Sequence, residues 1–152
     1  MVVCATIFLS SCLTGEYQST PRMIIQALYR NSIEGVRDTL LPGDTIQVGD
    51  TLRAPMALDG VYNTLVSFRV TADETAFDYK LECDSASLQL LTPDSKPEEG
   101  TLSFAKDCYL YFTTLYYVPK QAGKYQISFV LASSAGEKFS PVSGYITQVV
   151  VN

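Results

Sequence analysis

Residues 77–83, Phe77-Asp78-Tyr79-Lys80-Leu81-Glu82-Cys83, decide the fold class of this chain, because apolar and charged side chains alternate along them without interruption. Successive side chains of a β-strand point to opposite faces of a sheet, so a period of two predicts a strand that is buried on one face only. The apolar members of the stretch are expected to face a core. Asp78, Lys80 and Glu82 are expected to face solvent.

Other runs with the same period lie on both sides of this stretch and are separated by turn residues. In residues 64–71, Val66, Phe68 and Val70 share one predicted face. Gly49-Asp50 lies between two short runs and predicts a hairpin turn. Further strands are predicted at 23–29, 35–40, 45–48, 51–54, 108–118, 124–131 and 144–151, and a polar loop is predicted between the apolar runs 88–91 and 101–104. Such a series with no convincing helix predicts an all-β, two-sheet sandwich of about eight strands.

The stretch Pro119-Lys120-Gln121-Ala122-Gly123-Lys124-Tyr125 resembles the corner between strands E and F of immunoglobulin-like domains. The resemblance implies that Gly123 allows a tight corner and that the Tyr125 hydroxyl bonds back to the corner backbone. It covers residues 113–131 well and the remaining chain in strand spacing only. Ile127 stands where antibody domains have a cysteine, and the chain has no Trp. The implied fold is therefore an immunoglobulin-like β-sandwich in the broad sense.

Composition removes several classes of function from consideration. The sequence has no His, which excludes Ser-His and Cys-His nucleophilic systems and His-ligated metal sites. Its 11 basic and 16 acidic residues give a net charge of −5, so the basic footprint of a nucleic-acid-binding protein is missing. We therefore expect no cofactor, no metal and no nucleic-acid partner.

The first 12 residues, MVVCATIFLSSC, carry no charge and are mostly apolar up to Leu9. The run has the length of a secretory h-region and is too short to span a bilayer. Leu9-Ser10-Ser11-Cys12 resembles the lipobox of bacterial lipoproteins, which implies cleavage before Cys12 and acylation of its thiol. The alternative is a buried first strand in which Cys4 and Cys12 are core cysteines.

The lipobox resemblance divides the chain into a signal peptide (1–11), an acylated cysteine with its tether (12–21) and a β-sandwich domain (22–152). No Lys or Arg precedes the apolar run, so we expect the true start of translation to lie upstream. Acyl chains on Cys12 would hold the domain at the bacterial cell envelope, each buried methylene contributing about 0.8 kcal/mol.

The layout as a whole resembles the small secreted lipoproteins of Bacteroidetes, many of which have no assigned function. The residues after Cys12 lack the acidic cluster that resembles a surface-export signal in that group. A periplasm-facing position is therefore favoured over the cell surface.

Cys83 and Cys108 are both predicted to point inward from strands next to the polar loop at 92–100. In an oxidising compartment they could form a disulfide that closes a loop of about 25 residues and stabilises the fold by 3 to 4 kcal/mol. The alternative is a pair of reduced core cysteines. No CxxC spacing or third ligand accompanies them, so neither catalysis nor metal binding is expected.

The run Cys108–Val118, CYLYFTTLYYV, has apolar side chains on both faces of its predicted strand. If Cys108 faces the core, strict alternation places Tyr109, Tyr111 and Tyr117 on the opposite face. That face could bind a glycan, peptide or protein through tyrosine rings, which have a flat apolar body and a polar tip. The alternative is a central strand whose outer face is covered by a loop or by the tether.

Acidic residues in the predicted loops, Asp73-Glu74 and Asp94 with Glu98-Glu99, lack the spacing of a calcium loop and are expected to be solvated charges. We predict a lipid-anchored binding or assembly module that is not an enzyme. One alternative is a glycan-directed hydrolase that uses two carboxylates. Another is a subunit of a surface appendage, in which a strand edge accepts a strand from a neighbour.

Overall fold

The computed structural model describes residues 19–152, whose backbone forms β-strands joined by turns. Two short 3₁₀ turns lie at Ser85–Leu90 and Pro97–Glu99. The strands, in chain order, are β1 (Arg22–Ile25), β2 (Tyr29–Asn31), β3 (Arg37–Thr39), β4 (Thr45–Gln47), β5 (Thr51–Asp59), β6 (Leu65–Thr71), β7 (Phe77–Glu82), β8 (Thr101–Ser103), β9 (Leu110–Pro119), β10 (Gly123–Ser133) and β11 (Val142–Val151).

These strands lie in two sheets that enclose one core. The first sheet has the order β3-β2-β5-β9-β7, with β1 paired to β5, and the second has the order β4-β11-β10-β6-β8. Strands β5, β9 and β7 take the places of strands B, E and D of an immunoglobulin-like domain, while β6, β10 and β11 take those of C, F and G. The predicted all-β, two-sheet immunoglobulin-like sandwich is confirmed.

The described residues contain more strands than the sequence predicts, because one predicted strand is interrupted and residues 101–103 form a short strand of their own. Residues 23–29 were expected to form one strand, but β1 and β2 both pair with β5 and are separated at 26–28. The Gln26 N–H bonds to the Pro55 carbonyl at the break, 2.9 Å away. A run of apolar residues does not reveal where pairing stops, since the stop depends on the neighbouring strand.

The core is formed by inward side chains of both sheets. Phe77 and Tyr117 meet edge to face with ring centroids 5.9 Å apart, and Phe68 stacks on Phe129 at 6.2 Å. Each fully buried large apolar side chain contributes about 1.5 to 3 kcal/mol through the hydrophobic effect. The largest fully buried side chains are Tyr111, Tyr117, Phe68, Phe77, Ile46, Leu52, Met56, Leu58, Leu81, Leu102, Leu115 and Ile127.

The predicted hairpin at Gly49-Asp50 is wrong, although a turn is present there. β4 pairs with β11 in the second sheet, while β5 pairs with β9 in the first, so the turn carries the chain from one sheet to the other. The buried Asp50 carboxylate fixes this crossing by accepting the backbone N–H of Gln47 at 2.8 Å and of Ile33 at 3.1 Å.

The predicted faces of β6 hold for Phe68 and Val70, which are buried, but not for Val66, which is exposed. The register between β10 and β6 shifts at Ala132/Ser133, opposite this end of β6. A bulge adds a residue to one strand and reverses the alternation on one side of it, so Leu65 is buried in place of Val66.

Candidate functional site

The predicted tyrosine surface on β9 is not assembled as expected. Tyr111 and Tyr117 are buried in the core, and only Tyr109 is exposed. The prediction that Tyr111 and Tyr117 present their rings to a ligand is therefore corrected, because a ring inside the sandwich offers no surface for docking.

The correction has a local cause at the start of β9. Cys108 is buried as predicted, but both Tyr109 and Leu110 are exposed, so the alternation slips by one residue before Tyr111. Asp107 has a φ of 67°, a conformation that bends the chain just before this point. A slip of one residue moves every later side chain to the other face.

The outer face of β9 carries other side chains than those predicted. Leu110 and Phe112 are exposed there, and Ala57 separates Phe112 from Ile24 across the strands β5 and β1. Further along, Tyr116 is half-buried beneath two cations: the Arg53 guanidinium lies 5.0 Å from its ring centroid and the Lys80 amine 5.7 Å. Long charged side chains thus cover part of this face.

Cys83 and Cys108 are both free thiols in the structure, and the predicted disulfide between them stays a prediction. Burial raises the pKa of the Cys108 thiol. Burial also raises the pKa of Tyr111 to about 12, and both thiols lie near enough to this hydroxyl to add to the rise. The Ser87 hydroxyl donates a hydrogen bond to the Tyr111 oxygen at 3.2 Å, which ties the 3₁₀ turn to the core.

A long open strand edge lies on the other sheet, along β11. One side of β11 pairs with β10 from residue 142 to residue 150, but on its other side β4 pairs only with Val149–Val151. Within the described part of the chain, residues 142–148 therefore have no strand beside them on that side. The whole of β11, VSGYITQVVV, also carries no charged residue.

The edge is open because the chain before β4 turns away from it. The Leu41 N–H donates a hydrogen bond to the Asp44 carboxylate at 2.7 Å, and the Asp44 N–H donates one to the Leu41 carbonyl at 3.1 Å. Gly43, inside this turn, has a φ of 94°, which is readily available only to glycine. The turn carries the chain from β3 in the first sheet to β4 in the second, and β4 reaches β11 only at residues 149–151.

A cleft of about 830 Å³ follows this edge and reaches between the two sheets. Its walls come from residues 25–28, where β1 and β2 are interrupted, from the turn at 39–44 and from residues 145–149 of β11. Leu28, Leu40 and Ile146 make its interior largely apolar. An apolar cleft with few polar groups is the usual form of a binding site.

Gln148 is a buried polar residue that lines this cleft. The side chain is 6% exposed, and its Oε1 atom has no hydrogen-bond partner among the described residues. Sequence reasoning overlooked it, although alternation along 144–151 places Gln148 on the same face as Ile146 and Val150. A glutamine on an apolar face was the available signal.

A second cleft, of about 640 Å³, lies beside β6 and β7 and is lined by the acidic residues Glu74, Asp78, Glu98 and Glu99. The carboxylates that line it are largely paired: Asp78 lies 2.8 Å from the Lys120 amine, Glu99 3.2 Å from Lys96 and Glu98 4.0 Å from Lys80. No group of three or more potential metal ligands occurs in residues 19–152. These contacts match solvated loop charge.

Cys12 and the predicted signal peptide lie outside the described residues. The described chain begins beside the turn that follows β5, where the Ser19 hydroxyl donates to the Val61 carbonyl and accepts from the Asn63 amide at 2.9 Å. Over residues 19–152, no helix has the length and hydrophobicity needed to span a membrane.

Comparisons with known proteins return similar structures but no related sequences. No protein-family model and no curated protein matches the chain. A structure described as BspA_C_mut is 12% identical with a TM-score of 0.48, over 86% of this chain and 47% of its own. The ASH/PapD-like domain 7 of human CEP192 is 10% identical with a TM-score of 0.42, over 99% of each chain. Neither similarity carries a function to this chain.

Proposed function

We propose that this protein is a binding or assembly module of the bacterial cell envelope that takes an extended segment of a partner protein onto the open edge of β11. The observation that carries the proposal is the uncharged edge at residues 142–148, which lies beside an apolar cleft. Natural sheets commonly protect exposed edges with Lys, Pro or a covering loop. This edge has no such charge along its length.

The chemistry of the edge favours a polypeptide over a glycan. An unpaired strand edge presents N–H and C=O groups in alternation, and an added strand satisfies them as a ladder at about 4.8 Å spacing. Side chains on one face of the added strand would then enter the cleft beneath Leu28 and Leu40. Backbone pairing would supply affinity, and the cleft would supply selectivity.

Anchoring through Cys12 forms the second part of the proposal. The Leu9-Ser10-Ser11-Cys12 stretch supports it, because this order of an aliphatic residue, two small residues and a cysteine resembles a lipobox. We propose a periplasm-facing position. Mass spectrometry of the membrane fraction should find an acylated amino-terminal Cys12. A soluble, unmodified chain that retains Met1 would refute this part and leave the edge proposal intact.

The strand-addition proposal is tested by photo-crosslinking in cells that produce the full chain. Tyr145 and Phe112 are each replaced by p-benzoylphenylalanine. Both are exposed aromatic residues, 66% and 56% respectively, but Tyr145 lines the cleft and Phe112 lies on the other sheet. We expect a discrete adduct from position 145 and none from position 112. Equal adducts from the two positions would contradict the proposal.

A blocking variant distinguishes strand addition from nonspecific capture. Ser143→Lys with Thr147→Lys places two charges along the open edge at exposed positions. Charges at an edge oppose the approach of another strand, so the adduct from position 145 should disappear. An adduct that persists in this variant would mean that the partner contacts Tyr145 without pairing along β11.

A further inference from the structure

We infer that Gln148 selects the occupant of the β11 cleft, and that this occupant is an extended polypeptide with an uncharged hydrogen-bond donor at the position opposite Gln148. The inference rests on the proposed strand addition and adds a requirement for side-chain chemistry. Ser, Thr, Tyr, Asn and Gln meet it with a hydroxyl or an amide, and Trp meets it with its indole N–H.

The Gln148 side chain holds a buried carbonyl oxygen that has no hydrogen-bond donor among the described residues. A buried carbonyl oxygen without a donor is unfavourable, and nearly all buried polar atoms in folded proteins have a partner. The Gln148 side chain lines the cleft and is only 6% exposed, and its Oε1 atom accepts no hydrogen bond from the described residues. The Oε1 atom is enclosed by the protein, so binding requires the Gln148 side chain to rotate towards the occupant. An incoming donor group would then satisfy this atom, whereas an apolar group would leave it unsatisfied.

The pairing register along β11 determines which side chain of the occupant lies opposite Gln148. Opposite residues of paired strands have Cβ atoms about 5 Å apart and share a face, so the residue opposite Gln148 must point into the cleft. The residue two positions away lies opposite Ile146 and points the same way, next to Leu28 and Leu40. The occupant should therefore carry a polar donor and an apolar side chain spaced by two.

The charged residues that line the cleft balance each other. Asp44 and Lys124 both line it and are of opposite sign. The cleft therefore offers no net charge to attract an acidic or a basic side chain, and a charged donor would also have to lose its hydration on entry. An uncharged hydroxyl, amide or indole N–H is the donor that fits.

The experiment uses a phage-displayed library of linear random peptides, selected against the full chain and against Gln148→Met. Methionine has nearly the same shape as glutamine but cannot accept this hydrogen bond. Gln126→Met is the matched control, because Gln126 is exposed on the neighbouring strand β10. We expect a residue with an uncharged donor (Ser, Thr, Tyr, Asn, Gln or Trp) at one position of the selected peptides, enriched about tenfold or more over the Gln148→Met selection.

Two further measurements test the role of Gln148. Gln148→Met should melt at the same temperature as the native chain or higher, because it removes an unpartnered buried oxygen; a lower melting temperature would contradict the inference. In Gln148→Glu the selected residue should change to Lys or Arg. The Gln126→Met selection should match that of the native chain.

The failure of this inference can be distinguished from that of the proposed function. Bound peptides should protect amides of residues 142–148 from hydrogen exchange. If no selected peptide protects them, strand addition and the role of Gln148 both fail. If peptides protect them but show no donor position, or show the same position with Gln148→Met, only the role of Gln148 fails.

Discussion

The hydroxyl of Tyr125 donates a hydrogen bond to the carbonyl oxygen of Ala122 at 3.2 Å, which closes the corner between β9 and β10. Its ring meets Phe77 edge to face, with centroids 5.2 Å apart. The hydroxyl thus holds the corner while the ring packs against the core. This is the arrangement implied by the resemblance of residues 119–125 to an immunoglobulin-like corner.

Replacing Tyr125 by Phe should remove the corner hydrogen bond and keep the ring contact. We expect the free energy of unfolding to fall by about 1 kcal/mol, the usual net contribution of one such bond. Urea denaturation at neutral pH measures it. Tyr145→Phe is the control, because Tyr145 is exposed on β11, and its change should stay within about 0.5 kcal/mol. Equal effects of the two variants would contradict the role of the corner.

Replacing Gly123 by Ala should destabilise the fold more than Tyr125→Phe does. A Cβ at this position would lie 2.9 Å from both the Cζ atom and the hydroxyl oxygen of Tyr125. The φ of 154° at Gly123 is also rare for residues other than glycine. We expect a loss greater than about 1 kcal/mol in the same denaturation experiment. Gly136→Ala is the control, since nothing lies within 4 Å of its added Cβ. A Gly123→Ala chain as stable as the control would refute this account.

The features that the sequence predicts correctly are those with one apolar face. Within residues 77–83, Phe77–Glu82 form β7 with Phe77 and Leu81 buried, and Ile127, Phe129 and Leu131 are buried along β10. In such a strand only one phase buries the apolar set, so alternation determines the structure.

The features that were missed depend on partners distant in the sequence. On β9 both faces are apolar, so nothing in the pattern opposes the slip that buries Tyr111 and Tyr117. The turn at Gly49-Asp50 has the residues of a hairpin, but the strands it joins pair with β11 and β9. The cleft at Gln148 is formed by segments distant in the sequence, namely residues 25–28, 39–44 and 145–149. Local periodicity contains none of this information.

The two buried tyrosines should respond in opposite ways to loss of the hydroxyl. The Tyr117 hydroxyl has no hydrogen-bond partner in the described structure, so Tyr117→Phe should leave stability unchanged or raise it by up to about 1 kcal/mol. Tyr111→Phe loses the bond from Ser87 and should lower stability by about 1 kcal/mol. Urea denaturation of both variants gives the comparison. Losses of the same size in both would show that Tyr117 has a partner.

The two described cysteines should differ in reactivity. The thiolate is the reactive form, and burial raises the pKa of Cys108, whereas Cys83 is only partly buried. In the reduced, folded chain, iodoacetamide should alkylate Cys83 at least about tenfold faster than Cys108, because the buried Cys108 thiol becomes accessible only when the structure opens locally. Peptide mass spectrometry over a time course measures the two rates. Equal rates would contradict the burial of Cys108, and a linked Cys83–Cys108 peptide from unreduced protein would establish the predicted disulfide.

Asp59 should make the stability of the fold depend on pH. Its carboxylate accepts the Val61 N–H at 2.8 Å and lies 2.7 Å from the Arg22 guanidinium, and the backbone bond is the main reason why its pKa is lowered. A carboxyl group with a lowered pKa in the folded state stabilises the fold above its unfolded pKa of about 3.9. This contribution is lost as the pH falls through the lowered value.

Asp59→Asn should therefore be less stable than the native chain by up to about 1 kcal/mol at pH 7, because the pair with Arg22 is partly exposed. The difference should stay constant down to about pH 5 and shrink below about pH 4, where the native carboxylate also becomes protonated. Urea denaturation at pH 7, 5 and 3 follows it. Glu137→Gln removes the same charge from an exposed side chain and should stay within about 0.5 kcal/mol throughout. A difference for Asp59→Asn that persists undiminished at pH 3 would show that the side-chain shape at this turn matters and its charge does not.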